Sequence, residues 1–203
     1  MSTSTNTLSR DYPRTFCLAD DIAVEIGLLT PADGEALAHF SASLPKHDLL
    51  FARRDLSHPK VLKAWLEALE SGAVTSLAAR VDGELIGCTG VLVDPHSWSR
   101  HVGELRVVLG PVWRGPGRGR RLIQESFACA LGLELEKLVV HMTVDQRASI
   151  TVFEELGFRA EAVLRKHVKD SQGRSFDLAV LSHHVAEVAA RHATWGMTEA
   201  LQG

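Results

Sequence analysis

The chain has 203 residues, 45% of them apolar, and a formal net charge of −3. That is enough chain for one domain with its own core, and it is too apolar for a disordered segment. The mildly acidic balance argues against a nucleic-acid partner held by bulk charge. The three cysteines, Cys17, Cys88 and Cys129, form neither an even disulfide set nor a CxxC spacing.

Residues 1–19 begin with "MSTSTNTLSR", polar and without an apolar signal region, and are expected to be a flexible leader. No run of about 18 apolar residues follows, so no membrane partner and a cytoplasmic location are the expectation. "IAVEIGLL" (22–29) predicts a first strand. Thr30 then caps a helix that carries Pro31 at its first position. "HDLLFARRD" (47–55) is a connection in which Phe51, Arg53, Arg54 and Asp55 could meet a substrate; the arginine pair would suit a carboxylate. In "HPKVLKAWLEALESG" (58–72), Val61, Trp65 and Leu69 recur every four residues, which predicts an amphipathic helix ended by Gly72.

"VTSLAARVDGELIGCTGVLV" (74–93) is a hairpin closed at Asp82-Gly83. "HVGELRVVLG" (101–110) predicts a strand, and a helix from about 119 to 131 follows the glycine-rich loop. "KLVVHMTV" (137–144) is a short buried strand. "RASITVFEELGF" (147–158) is a helix closed by Gly157. Two strands, about 159–169 and 175–182, complete the domain, taken as 20–184. Residues 185–203 would be a helical tail, and an exposed final strand plus tail is compatible with a homodimer. Hairpins mixed with crossovers predict an α+β fold in three layers: a mixed, largely antiparallel twisted sheet of about six to seven strands with about four helices. His183 and His184 are adjacent on a strand and point to opposite faces, so no metal is assigned.

"WRGPGRGRRL" (113–122) puts three glycines and four arginines between a strand and a helix. Such a loop can aim several N–H groups at one anion, and the helix N-terminus adds partial positive charge. A nucleoside-triphosphate loop would need GxxxxGK[ST], and no lysine follows. A dinucleotide fingerprint would need a third glycine where Arg120 stands, and would open an early βαβ unit; an oxidoreductase is disfavoured.

The pyrophosphate of coenzyme A remains. "RGPGRG" (114–119) is similar to the [RQ]xxGx[GA] signature of the GNAT superfamily of N-acetyltransferases. "VVLGPVWRGPGRGRRLI" resembles that family's strand, loop and helix, and "VFEELGF" (152–158) resembles its downstream YexxGF element. The resemblance spans roughly residues 20–184 and is strongest over 104–158. It implies transfer of an acetyl group from acetyl-CoA, as cosubstrate, to a primary amine of a small molecule or a peptide or protein N-terminus.

The resemblance also implies roles. The backbone of Val107, Val108 and Leu109 would pair with the pantetheine arm, and the N–H of Leu109 would polarise the thioester carbonyl. Arg114, Gly115, Pro116, Gly117, Arg118, Gly119 and Arg120 would cradle the pyrophosphate. Glu104 and His141 compete as the general base, with Glu104 preferred because it precedes the loop on its strand. The family's asparagine falls on Gln146, and its proton-donating tyrosine falls on Phe153, which has no hydroxyl. Ser149, one turn earlier on the same helix, could replace it. Phe153 also keeps open a non-catalytic acyl-CoA-binding or sensor protein of the same fold.

Overall fold

The computed structural model describes residues 11–18, 21–46, 56–115, 118–170 and 172–185. Among them are nine strands: β1 (Arg14–Cys17), β2 (Ala23–Leu28), β3 (Val74–Thr75), β4 (Leu77–Val81), β5 (Glu84–Leu92), β6 (Val102–Leu109), β7 (Lys137–Thr143), β8 (Arg159–Lys169) and β9 (Ser175–His184). There are four α-helices: α1 (Gly34–Ser43), α2 (Pro59–Glu70), α3 (Arg118–Gly132) and α4 (Arg147–Glu155). Two short strands, β1 and β3, exceed the six to seven expected. β1 corrects the reading of residues 1–19 as a leader, because Arg14–Cys17 pairs antiparallel with β2. Its polar neighbourhood hides it, although among the described residues Tyr12, Phe16 and Leu18 bring apolar surface to the core. Residues 47–55 and 186–203, where a substrate contact and a tail helix were expected, lie outside the described residues.

Local chemistry sets the boundaries. Thr30 donates its backbone N–H and its hydroxyl to the Asp33 carboxylate at 2.8 and 2.9 Å, and a 3-10 turn (Pro31–Asp33) leads into α1. His58 Nδ1 accepts the Lys60 N–H at 3.2 Å at the start of α2, whose buried residue is Trp65. Asp82 and Gly83 both take positive φ and close the β4–β5 hairpin.

The sheet order is β1-β2-β4-β5-β6-β7-β9-β8, with β3 on β5, and the β6–β7 pair alone is parallel among the described strands. On one face, α1 and α2 pack Leu37, Phe40 and Trp65 against Ala78, Cys88 and Val108. On the other, α3 places Leu122 and Cys129 on Ile26 and Ala79. There, Ile123, Phe153 and Phe158 join Leu105, Leu138 and Val140. These are the three expected layers. No helix among the described residues is long and apolar enough to cross a membrane.

One seam in the sheet is open. β6 pairs with β7 only at Val102↔Lys137, Gly103↔Leu138 and Glu104↔Val139. β5 stays with β6 as far as Leu109, and β9 stays with β7 as far as Thr143. Beyond Glu104 each half of the sheet remains complete while the two halves part.

Candidate active site

The parting strands enclose a cleft of about 710 Å³. Its apolar wall, on the α3–α4 side, includes Leu105, Ile123, Val140, Met142 and Phe153. Its opposite side carries Arg106 and His141. The loop residues Arg114 and Gly115, with Gly119 of α3, close one end.

Backbone direction decides which strand groups face the cleft. Gly110 N–H donates to Ile86 O at 2.9 Å, so Gly110 is turned toward β5. Alternation then turns Val108 and Arg106 toward β5 as well, opposite Cys88 and Gly90, and turns Val107 and Leu109 toward the opening. The expectation that three successive residues offer their backbone is therefore corrected for Val108. Its ladder groups belong to β5 and its side chain is buried under α1 and α2. Arg114 folds back onto β6, donating from Nε and Nη2 to Leu109 O at 3.1 and 3.0 Å. That leaves the Leu109 N–H as the group the strand end aims into the cleft.

The helix that follows begins at Arg118, and its first-turn N–H groups have no intrahelical acceptor. Gly115 holds φ +145, a conformation that side chains rarely adopt. Pro116 and Gly117 lie outside the described residues. Arg120, expected at the pyrophosphate, is paired with Glu155 of α4 at 3.0 Å, and both side chains are exposed.

α4 supplies the far rim. Gln146 precedes it, and both polar atoms of its side-chain amide are buried with no hydrogen-bond partner among the described residues. Ser149 is exposed on the rim. Phe153 is buried, with its ring edge-to-face against Phe158 at 4.9 Å.

The two candidate bases prove to be neighbours. His141 Nδ1 lies 3.7 Å from Glu104 Oε1, beyond a direct hydrogen bond, and Arg106 Nε donates to the same oxygen at 2.9 Å. All three side chains are largely buried and share the face toward α1 and α2. Glu104 sits where the strands are still paired, whereas Arg106 and His141 stand in the open part. Sequence reasoning gave Arg106 no role; an arginine two residues after Glu104, in a strand whose other residues are apolar or glycine, is the signal that was available. His183 points inward between the Phe127 and Phe158 rings and His184 is exposed, as strand alternation requires.

Comparison with known proteins agrees with this geometry. The model of the Acetyltransferase (GNAT) family matches residues 39–158. The N-alpha-acetyltransferase RimI of Mycobacterium tuberculosis is 25% identical over 164 residues, covering 79% of this chain and 94% of that protein. A ribosomal-protein-alanine N-acetyltransferase structure from Brucella melitensis superposes with a TM-score of 0.69 at 25% identity, covering 78% of this chain and 98% of that one. A putative acetyltransferase from Salmonella typhimurium, solved with its cofactor acetyl-CoA, gives 0.67 at 22% identity over 80% and 94%, a likeness of fold.

Proposed function

Because the chain belongs to the acetyltransferase (GNAT) family, we propose that the cleft between β6 and β7 is where it transfers the acetyl group of acetyl-CoA to a primary amine. The observation that carries this assignment is the open seam: the backbone of Val107 and Leu109 faces a cleft that ends at the N-terminus of α3. The residues present fit the group. An extended amide-bearing arm can complete the ladder that β7 abandons, the Gln146 amide, without a partner among the described residues, offers it N–H donors and a carbonyl acceptor, and the loop with the α3 N-terminus suits a pyrophosphate.

Acetyl-CoA supplies, when bound, an acetyl group activated as a thioester. The Leu109 N–H donates toward the thioester oxygen, where negative charge grows during attack. His141 accepts the proton of the attacking amine as the nitrogen–carbon bond forms, and the electron pair of the broken C–S bond leaves with sulfur. Two observations favour His141 over the Glu104 preferred from sequence: His141 lines the cleft, whereas Glu104 does not and is engaged by Arg106. Phe153 offers the leaving thiolate no proton, so Ser149 or solvent supplies it.

Phe153 also favours a second reading, binding of acyl-CoA without turnover. Free-thiol release from acetyl-CoA against a panel of amines, run beside CoA calorimetry, separates the two. Release with any amine supports the enzyme. CoA binding with no release supports the sensor, and absence of CoA binding removes both.

A further inference from the structure

Resting on that reading, we infer that Arg106 selects the acceptor, and that it selects amines which also carry a carboxylate, amino acids in the first instance. A guanidinium presents five N–H groups in a fixed fork. Glu104 takes the Nε edge at 2.9 Å, and among the described residues Arg106 forms no other hydrogen bond or ion pair. The Nη1–Nη2 edge is thus left for something else. It is the edge that grips a carboxylate through two parallel hydrogen bonds.

Position gives the edge its meaning. Glu104 pairs with Val139, so continuing the register by two residues sets Arg106 opposite His141, the first pair on that face beyond the last ladder pair. Both side chains lie on the α1–α2 face, across from the apolar wall of Ile123, Met142 and Phe153. A molecule entering from that face meets the group that takes the amine's proton and a guanidinium beside it. The side chain of Arg106 is only 12% exposed, so a carboxylate bound there is held away from water, where charge-assisted bonds are strongest.

Glu104 lies just behind Arg106 and His141, which line the cleft, and the charges alternate along the three. Arg106 is positive, Glu104 negative, and His141 follows. That order is complementary to a zwitterion whose ammonium and carboxylate are joined by one carbon. An amine of purely cationic character would instead bring a second positive charge to Arg106 with nothing in exchange.

The test compares each of the twenty amino acids with its carboxamide and its decarboxylated amine, as acceptors for the wild-type protein and for Arg106→Lys and Arg106→Gln. Thiol release gives KM and kcat, and calorimetry on CoA-loaded protein gives acceptor binding. At least one amino acid should exceed its carboxamide about tenfold to a hundredfold in kcat/KM, chiefly through KM. Arg106→Lys keeps the charge beside Glu104 but loses the fork, and should lose most of that ratio while folding normally. Carboxamides or decarboxylated amines that react as well as the acids in the wild type would overturn the proposal and leave acetyl transfer standing. So would a preference that survives both substitutions. If no amine releases thiol, acetyl transfer fails, and calorimetry decides separately: Arg106-dependent binding of an amino acid supports the selection, and its absence overturns it.

Discussion

Replacing Gly115 by alanine tests the anion site with little steric ambiguity. A Cβ at this position would meet nothing within 4 Å, so no neighbour has to move. The only penalty is conformational, because φ +145 is a region L side chains rarely occupy. Such a residue costs about 1–3 kcal/mol to hold in place. If CoA needs the loop in this conformation, the strain is subtracted from binding, which weakens CoA by a factor of roughly 5 to 150. Gly72 supplies the matched control. It also has positive φ, +74, with nothing within 4 Å of a Cβ, but it ends α2 away from the cleft. Gly72→Ala should cost about 1 kcal/mol of stability and lower the melting temperature by about 2–4 °C. It should leave CoA affinity unchanged. The assay is calorimetric titration of CoA into both variants, with melting curves on the same samples. If Gly115→Ala binds CoA like the wild type and merely melts lower, as Gly72→Ala does, the loop is not the pyrophosphate site.

Three further outcomes are expected. Phe153→Tyr, which adds a hydroxyl to a ring that lines the cleft, should preserve or raise turnover; normal CoA binding with all activity lost would mean the site depends on an apolar ring. His141→Gln should lower kcat about a hundredfold to ten-thousandfold without changing CoA affinity, and Glu104→Gln should lower it less; the opposite order would return the base to Glu104. Burial alone would raise the Asp33 carboxyl, but the Thr30 N–H and hydroxyl and the Arg80 guanidinium at 2.6 Å outweigh it and hold it below the ordinary 3.8. Its stabilisation is therefore complete above that value and is lost as pH falls through the lower folded value, so Asp33→Asn should lower the melting temperature at pH 7 and progressively less in strong acid; an equal deficit at both would refute this.

What the sequence made legible was local. The four-residue spacing of Val61, Trp65 and Leu69 located α2, Asp82-Gly83 located a hairpin, and the glycines of 115–119 located the strand–loop–helix unit. What it withheld depended on partners distant in the chain. Glu104 and His141 appeared as rivals because nothing in one sequence tells which residues of two strands lie side by side. A one-residue slip in register would turn His141 to the opposite face. Parallel pairing at Glu104↔Val139 makes them neighbours. Arg120 belonged to the loop by sequence and belongs to Glu155 by tertiary contact. β1 escaped because a four-residue edge strand in a polar segment has too little pattern to register.

The open seam and the anion site follow from one topological fact. Antiparallel neighbours can be joined by a tight turn, as β4 and β5 are, and such a turn leaves no helix N-terminus at the strand end. A parallel neighbour needs a crossover, and here the crossover is α3, which starts beyond the end of β6 and returns the chain to β7. The partial positive charge of α3 therefore lies at the same end of β6 as the N–H of Leu109. The β6–β7 pair is also where the ladder is interrupted, so the unpaired backbone and the helix N-terminus converge on one cleft. A ligand able to use both must be long, must carry amide-like groups along its length and must be anionic at one end. Residues farther down the seam, Arg106 and His141, then meet its other end, which is where chemistry and acceptor choice can be varied without disturbing the cradle.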